Sequence, residues 1–301
     1  MIFADPDDVI RRFDAQDYLL DTGTASAIYL AVTLGKPLLL EGEPGVGKTT
    51  AAKTLAAVLD TTLLRLQCYE GLTANEALYD WNYQRQLLAI RLAEARDTGI
   101  EEADLYTETY LVDRPILQCV RHRGPTPPVL LIDEIDRADE AFEAFLLEVL
   151  SDFQITIPEI GVVKPENPPI VIITSNRTRE IHDALKRRCL YHWVGYPDSA
   201  REIAILRAKA PRAPARLTAE LVAFVQRLRK QDLFKSPGVA ETLDWASALT
   251  ELDAVALDPA QVSDTLGVLL KYQDDIAKIQ GAKAHELIDQ ARAELRLSGV
   301  G

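Results

Sequence analysis

Long apolar runs are missing from this sequence: none approaches the roughly 18 consecutive apolar residues of a membrane-spanning helix, so an integral membrane protein is not expected. Cysteine is scarce. Cys68, Cys119 and Cys189 lie far apart, match no metal-ligand spacing and are odd in number, which argues against a disulfide framework. The opening residues, Met1 to Asp8, are acidic and lack the layout of a signal peptide. These absences point to a cytoplasmic protein with reduced thiols. Positive charge is in deficit too, with 33 Lys and Arg against 46 Asp and Glu and a net charge of −13. Nucleic acid rewards clustered positive charge, so it is not expected as the main partner; Lys186-Arg187-Arg188 is a candidate local basic strip. There is no internal repeat and no low-complexity tract. What remains is a chain of 301 residues, 48% of them hydrophobic, enough for one large domain or two small ones with a well-buried core.

The strongest signal lies at residues 38 to 49, Leu-Leu-Leu-Glu-Gly-Glu-Pro-Gly-Val-Gly-Lys-Thr. An apolar run stops at a glycine-rich turn that ends in Gly47-Lys48-Thr49, with Gly42 at the fixed upstream place of the G-x-x-x-x-G-K-[ST] pattern. Polyphosphate binding explains each residue. Glycines let backbone N–H groups turn inward, and the helix starting near Gly47 aims its positive end at phosphate. Lys48 can reach the β- and γ-phosphates, and Thr49 can ligate Mg²⁺. The flanks fit, with a short buried strand after Pro37 and a helix from Thr49 to Leu59 that has an apolar face. Gly42, Glu43, Pro44, Gly45, Val46, Gly47, Lys48, Thr49 and Thr50 are therefore the expected ATP-binding residues.

Val129-Leu130-Leu131-Ile132 running into Asp133-Glu134 is the second signal. Four apolar residues ahead of two carboxylates read as a buried parallel strand, whose carboxyl end is where α/β sheets place ligands. Alone, the pattern would also fit an ordinary acidic turn. After a phosphate-binding loop it reads as an ATPase strand, with Asp133 holding Mg²⁺ through water and Glu134 polarising the attacking water.

The rest of the chain follows in order. Residues 1 to 21 read as a short segment lying on the core, and Gly23 to Leu34 as a helix. Leu63 to Cys68 reads as a second strand. A polar and aromatic insertion of about 69–127 follows, with a capping box at Thr73 to Glu76 and helices at Leu87 to Ala95 and Ile116 to Val120. Phe142, Phe145, Leu146 and Val149 are spaced for one helix face. A β-hairpin is expected over about 154–164, around Pro158-Glu159-Ile160. Ile170 to Thr174 is another buried strand, ending at Ser175-Asn176. Asn176 suits either a contact with the γ-phosphate or its water, or a plain turn. Glu180 to Arg188 reads as a helix whose terminal cations either complement the helix dipole or are offered to another subunit's nucleotide. Leu190 to Val194 is the last strand. From Gly195-Tyr196-Pro197 onward everything reads as helix, with a capping box at Ser199 to Glu202 and Asp258-Pro259 opening a later helix. The expected fold is α/β: a P-loop αβα domain over 1–195, then an all-helical lid domain over 196–301.

In this order the motifs resemble AAA+ ATPases, and the insertion and hairpin resemble the MoxR branch. Leu66 to Leu72, Ala77 to Tyr83, Gln86-Leu87-Leu88 and Ala240-Glu241-Thr242-Leu243-Asp244-Trp245 resemble its CoxD-like subgroup, linked to maturation of the metal centre of carbon monoxide dehydrogenase. The resemblance implies that Gly42 to Thr49 are Walker A. Asp133 and Glu134 would be Walker B with Glu134 as catalytic base, and Asn176 sensor 1. Arg188 would be an arginine finger acting across a subunit interface, with Arg187 as its rival. It also implies a ring, commonly a hexamer, and a partner carrying a von Willebrand A domain. One departure stands out. MoxR relatives usually carry a sensor 2 arginine after Ser-Pro in the lid, and here Ser236-Pro237 is followed by Gly238.

Two classes of function are therefore expected. One is a mechanoenzyme that hydrolyses ATP in a ring and remodels a client, a metalloenzyme under maturation. The other is a nucleotide-gated switch or clamp-loader-like factor with slow turnover. Glu134 and the arginine pair favour the first.

Overall fold

The structure, a computed structural model, describes residues 2–297, and for Asp152 the backbone alone. The outer ends of the two expected domains, residue 1 and residues 298–301, lie outside the described residues. The described chain separates into two compact units. One is residues 2–12, Thr22–Glu41 and Thr49–Trp193; the other is Phe13–Asp21, Gly42–Lys48 and residues 194–297.

Largely in the first unit, α1 (Pro6–Asp14) and α2 (Thr22–Leu34) precede β1 (Leu38–Gly42), α3 (Lys48–Val58) and β2 (Leu63–Gln67). The insertion carries α4 (Ala74–Leu78), β3 (Tyr79–Trp81), α5 (Tyr83–Ala95), α6 (Glu102–Leu105), β4 (Leu111–Asp113) and α7 (Pro115–Val120). Then come β5 (Val129–Asp133), α8 (Glu140–Asp152), the hairpin strands β6 (Ile155–Ile157) and β7 (Gly161–Val163), β8 (Ile170–Ser175), α9 (Asp183–Arg188) and β9 (Leu190–Val194). The main sheet has five strands in the order β2-β5-β8-β1-β9. The pairs β2–β5, β5–β8 and β8–β1 run parallel. β1, β5 and β8 are buried throughout, which is why they read as continuous apolar runs rather than alternating ones. Leu39, Leu130, Ile132, Val171 and Ile173 on the strands pack with Phe142 and Leu146 of α8 and Ile116 and Leu117 of α7 in one core.

The insertion is more ordered than its sequence suggests. β3 and β4 pair antiparallel, Tyr79 opposite Asp113 and Trp81 opposite Leu111. Tyr106 and Trp81 pack edge to face, with ring centres 5.2 Å apart. The Thr73 capping box is present, with the Glu76 carboxylate accepting the Thr73 N–H at 2.9 Å. α5 begins at Tyr83 rather than Leu87, because Asn82 caps it by accepting the Arg85 N–H at 3.0 Å. α9 begins at Asp183 rather than Glu180. Residues 179–182 are instead held by the buried Glu143, which accepts the His182 N–H at 2.8 Å and pairs with Arg179.

In the second unit α10 (Ser199–Lys209), α11 (Ala215–Leu228), α12 (Val239–Glu251), α13 (Pro259–Leu269), α14 (Gln273–Ile279) and α15 (Ala282–Leu297) surround a core centred on Phe224 and Trp245. Their rings lie 5.5 Å apart, and the Trp245 indole N–H donates to the Thr265 hydroxyl at 2.8 Å. Asp258 caps α13 ahead of Pro259. The capping box expected at Ser199 to Glu202 is absent. Asp198 is the cap and accepts the Arg201 N–H at 2.8 Å. Glu202 turns inward, where it pairs with Arg229 at 2.7 Å and accepts from Gln226 at 2.8 Å and Thr242 at 3.1 Å. The Glu202 and Arg229 side chains are 0% and 6% exposed. Removing one member leaves the other charge buried and uncompensated. Glu202→Ala is therefore expected to cost about 3–5 kcal/mol of stability, measurable by urea unfolding. Among the described residues no helix is long and apolar enough to cross a membrane.

Candidate functional site

The loop between β1 and α3 belongs to the second unit. Lys48 is buried, and its ammonium donates to the carbonyls of Gly42 at 2.7 Å and Glu43 at 2.8 Å. Its three donors and long stem suit it to bridge oxygens at one point. Gly47 sits at φ +98°, a conformation that side chains disfavour, and the Tyr18 hydroxyl donates to its carbonyl at 3.2 Å. Burial pushes the Tyr18 phenol up to about 12, so it remains a neutral donor near neutral pH. Glu43 and Thr50 are exposed, while Pro44, Gly45, Val46 and Thr49 are half-buried.

Gly238 also meets this loop. Its N–H donates to the Glu241 carboxylate at 3.0 Å, and the Ala240 N–H donates to the Gly45 carbonyl at 3.1 Å. A Cβ at position 238 would lie 2.6 Å from the Pro44 oxygen and 2.9 Å from the Gly45 Cα. The backbone of the loop at Pro44 and Gly45 thus fills the place where a side chain at 238 would begin. This is the physical reason an arginine does not fit there.

The carboxyl ends of β5 and β8 belong to the first unit. Asp133 is buried. Its Oδ1 accepts from the Thr49 hydroxyl at 2.9 Å and the Thr174 hydroxyl at 2.6 Å. Arg65 donates to Oδ2 from Nε at 3.0 Å and Nη2 at 2.6 Å. Glu134 has left-handed backbone, φ 56°, fixed by its N–H donating to the Thr174 oxygen at 2.9 Å. A non-glycine residue in that region is held by its surroundings, and such outliers concentrate at functional positions. The Glu134 carboxylate accepts from Gln67 at 3.2 Å and Asn176 at 3.4 Å, and Arg137 lies 3.4 Å away. Thr49, Asp133, Glu134 and Asn176 are thereby brought together.

Asn176 is held in turn by Asp136, which accepts its N–H at 3.1 Å, the Thr178 N–H at 2.9 Å and the Thr178 hydroxyl at 2.6 Å. Burial pushes the Asp136 carboxyl up, but these donors outweigh it and hold it below the usual 3.8. Cys68 lies behind this cluster, and burial together with the Asp133 charge pushes its thiol up to about 12. It is a buried, inert cysteine rather than a nucleophile.

Arg187 and Arg188 end α9 and are exposed. Arg188 donates to the Ser151 hydroxyl of α8. Among the described residues neither arginine bonds to Asp133, Glu134 or Asn176.

Sequence reasoning overlooked Arg65, Thr174, Asp136 and Arg137 as parts of this cluster, and gave Gln67 no role in it. A signal for two of them was available. Arg65 and Gln67 alternate along β2, and polar residues at period two on an otherwise apolar strand mark one face.

The donors fit a magnesium ion. Thr49 and Asp133 offer hard oxygens side by side, and Mg²⁺ is commonly held by one or two carboxylates, waters and substrate phosphates rather than by a cage of protein ligands. Among the described residues no group of three or more His, Cys, Asp or Glu could hold a metal alone.

A Gly-Lys-Thr loop between a parallel strand and a helix, with an acidic pair closing a buried strand two places away in the same sheet, defines a P-loop nucleoside triphosphatase. The family model for the AAA domain (dynein-related subfamily) matches residues 37–189, just over half of the chain. The chain belongs to that family, whose domains are in general ATP hydrolases. It is 24% identical over 250 residues to an uncharacterised protein of Staphylococcus haemolyticus, covering 80% of this chain and 86% of that protein. An uncharacterised protein of Staphylococcus aureus is 25% identical over the same shares. Among solved structures, a RuvB mutant of Thermotoga maritima aligns with TM-score 0.48 and 19% identity, covering 88% of this chain and 71% of that one.

Proposed function

We propose that this chain is a MoxR-type AAA+ ATPase of the CoxD-like subgroup. It hydrolyses ATP in a homo-oligomeric, hexameric ring and remodels a client protein, a metalloenzyme under maturation in the cytoplasm, together with a von Willebrand A domain partner. The observation that carries the hydrolytic part is the Glu134 carboxylate, held by Gln67, Asn176 and Arg137 beside the Thr49–Asp133 pair. A carboxylate supported in this way favours a hydrolase over a switch with slow turnover.

In this reading residues 42–50 wrap the triphosphate with backbone N–H groups, and the start of α3 supplies its dipole. Lys48 exchanges its two loop carbonyls for the β- and γ-phosphates. Thr49 and Asp133 hold Mg²⁺, which when bound neutralises charge developing on the phosphate oxygens. Glu134 orients and polarises the attacking water, and Asn176 contacts the γ-phosphate or that water. Arg188, with Arg187 as its rival, reaches the nucleotide of the neighbouring subunit.

The client role is supported by the resemblance at residues 66–88 and by the insertion itself. There α5 exposes Tyr83, Leu87, Leu88 and Leu92, apolar surface of the kind that protein partners cover.

Subunit mixing tests the shared site. Arg188→Ala is expected to bind ATP while losing about 10³-fold in turnover. Titrating it against inactive Glu134→Gln is expected to restore part of the activity, because mixed rings contain sites with both groups intact. No recovery at any ratio would show that Arg188 does not act across an interface.

A further inference from the structure

β2 carries a polar pair on the face that meets the acidic end of β5. The parallel register sets Arg65 beside Leu131 and Gln67 beside Asp133. Arg65 places two N–H groups on Oδ2 of Asp133, at 3.0 and 2.6 Å, while the Thr49 and Thr174 hydroxyls occupy Oδ1 at 2.9 and 2.6 Å. A carboxylate offers about four acceptor positions, so those of Asp133 are filled. The Asp133 side chain is 2% exposed and that of Arg65 46%. Arg65 also donates to the Gln67 amide oxygen.

From this geometry we infer that Arg65 is a removable counter-ion for Asp133, a positioning residue that competes with the divalent cation for the same carboxylate. The inference rests on the reading that Thr49 and Asp133 receive Mg²⁺ with the nucleotide. A buried carboxylate without a partner is costly, and Arg65 supplies the partner when no divalent cation does. A hydrated cation needs acceptor positions on Asp133 for its waters, and Arg65 takes both on Oδ2. Two cations at one carboxylate also repel each other. Of the three groups on Asp133, Arg65 has a long, half-exposed side chain with solvent to move into, whereas Thr174 is buried on β8. Cation entry and Arg65 release are therefore coupled, and the cation affinity of the site is lower than that of an unguarded Asp133.

The test uses the full chain with saturating ADP and Mn²⁺ as a spectroscopic stand-in for Mg²⁺, free Mn²⁺ being counted by electron paramagnetic resonance. Arg65→Gln is expected to tighten ADP-dependent Mn²⁺ binding about tenfold, the scale of removing one unit charge near a divalent ion at a partly solvated site. Arg65→Lys, which keeps the charge but not the paired N–H groups, is expected to fall between. It also serves if the glutamine variant folds poorly. Melting of Arg65→Gln without metal or nucleotide is expected below wild type, and the gap is expected to close with Mn²⁺ and ADP. Unchanged or weaker Mn²⁺ binding in both variants, with wild-type ADP-dependent binding intact, would overturn the inference alone. No ADP-dependent Mn²⁺ uptake by the wild type would overturn the nucleotide reading and the inference with it.

Discussion

Replacing Glu134 with glutamine is expected to leave ATP binding intact and to lower steady-state turnover by about 10²–10³-fold, within the range that a positioned general base contributes. The replacement keeps the shape of the side chain and one carbonyl oxygen, so the Gln67 or Asn176 amide retains an acceptor. It also keeps the left-handed backbone, because the Glu134 N–H is anchored on Thr174. What disappears is the negative charge that draws a proton from water. A filter-binding or calorimetric ATP titration should match wild type while phosphate release collapses. Wild-type turnover in this variant would place the base elsewhere.

Lys48→Ala is the second large effect, and it acts on binding rather than on chemistry. Lys48 is buried, and its ammonium donates to carbonyls of its own loop, Gly42 and Glu43. The alanine variant loses the only cation in residues 42–50 and leaves both carbonyls without this donor. Hydrogen bonds to charged groups contribute about 1.5–3 kcal/mol each, so ATP affinity is expected to fall about a hundredfold or more. The accompanying stability change is separable, because the fold can be followed by far-ultraviolet circular dichroism in the same sample.

The sheet and the phosphate loop were legible because their signals are local. Leu38–Gly42, Val129–Asp133 and Ile170–Ser175 are buried on both faces and so read as unbroken apolar runs. The Gly-Lys-Thr loop has fixed spacing. The β3–β4 ribbon was not legible. Each strand has only three residues, too few for an alternating pattern to show. Glu202 misled for a different reason. Its spacing from Ser199 suits a capping box, yet the Arg229, Gln226 and Thr242 groups that claim it come from α11 and α12, which local sequence does not reveal. The candidate site divides in the same way. Thr49, Asp133, Glu134 and Asn176 lie at the ends of readable elements. Arg65 and Asp136 matter only through partners 68 and 40 residues distant. Gly238 has a further lesson. Position 238 has no room for a side chain because Pro44 and Gly45 lie close against it.

The most direct test of the central claim is one set of calorimetric ATP titrations on wild type, Lys48→Ala and Glu134→Gln, with phosphate release measured in the same samples. Wild type should bind and turn over, Glu134→Gln should bind without turnover, and Lys48→Ala should do neither at wild-type saturating ATP. Equal binding heats and equal turnover in all three proteins would contradict an ATPase built on this loop and this carboxylate.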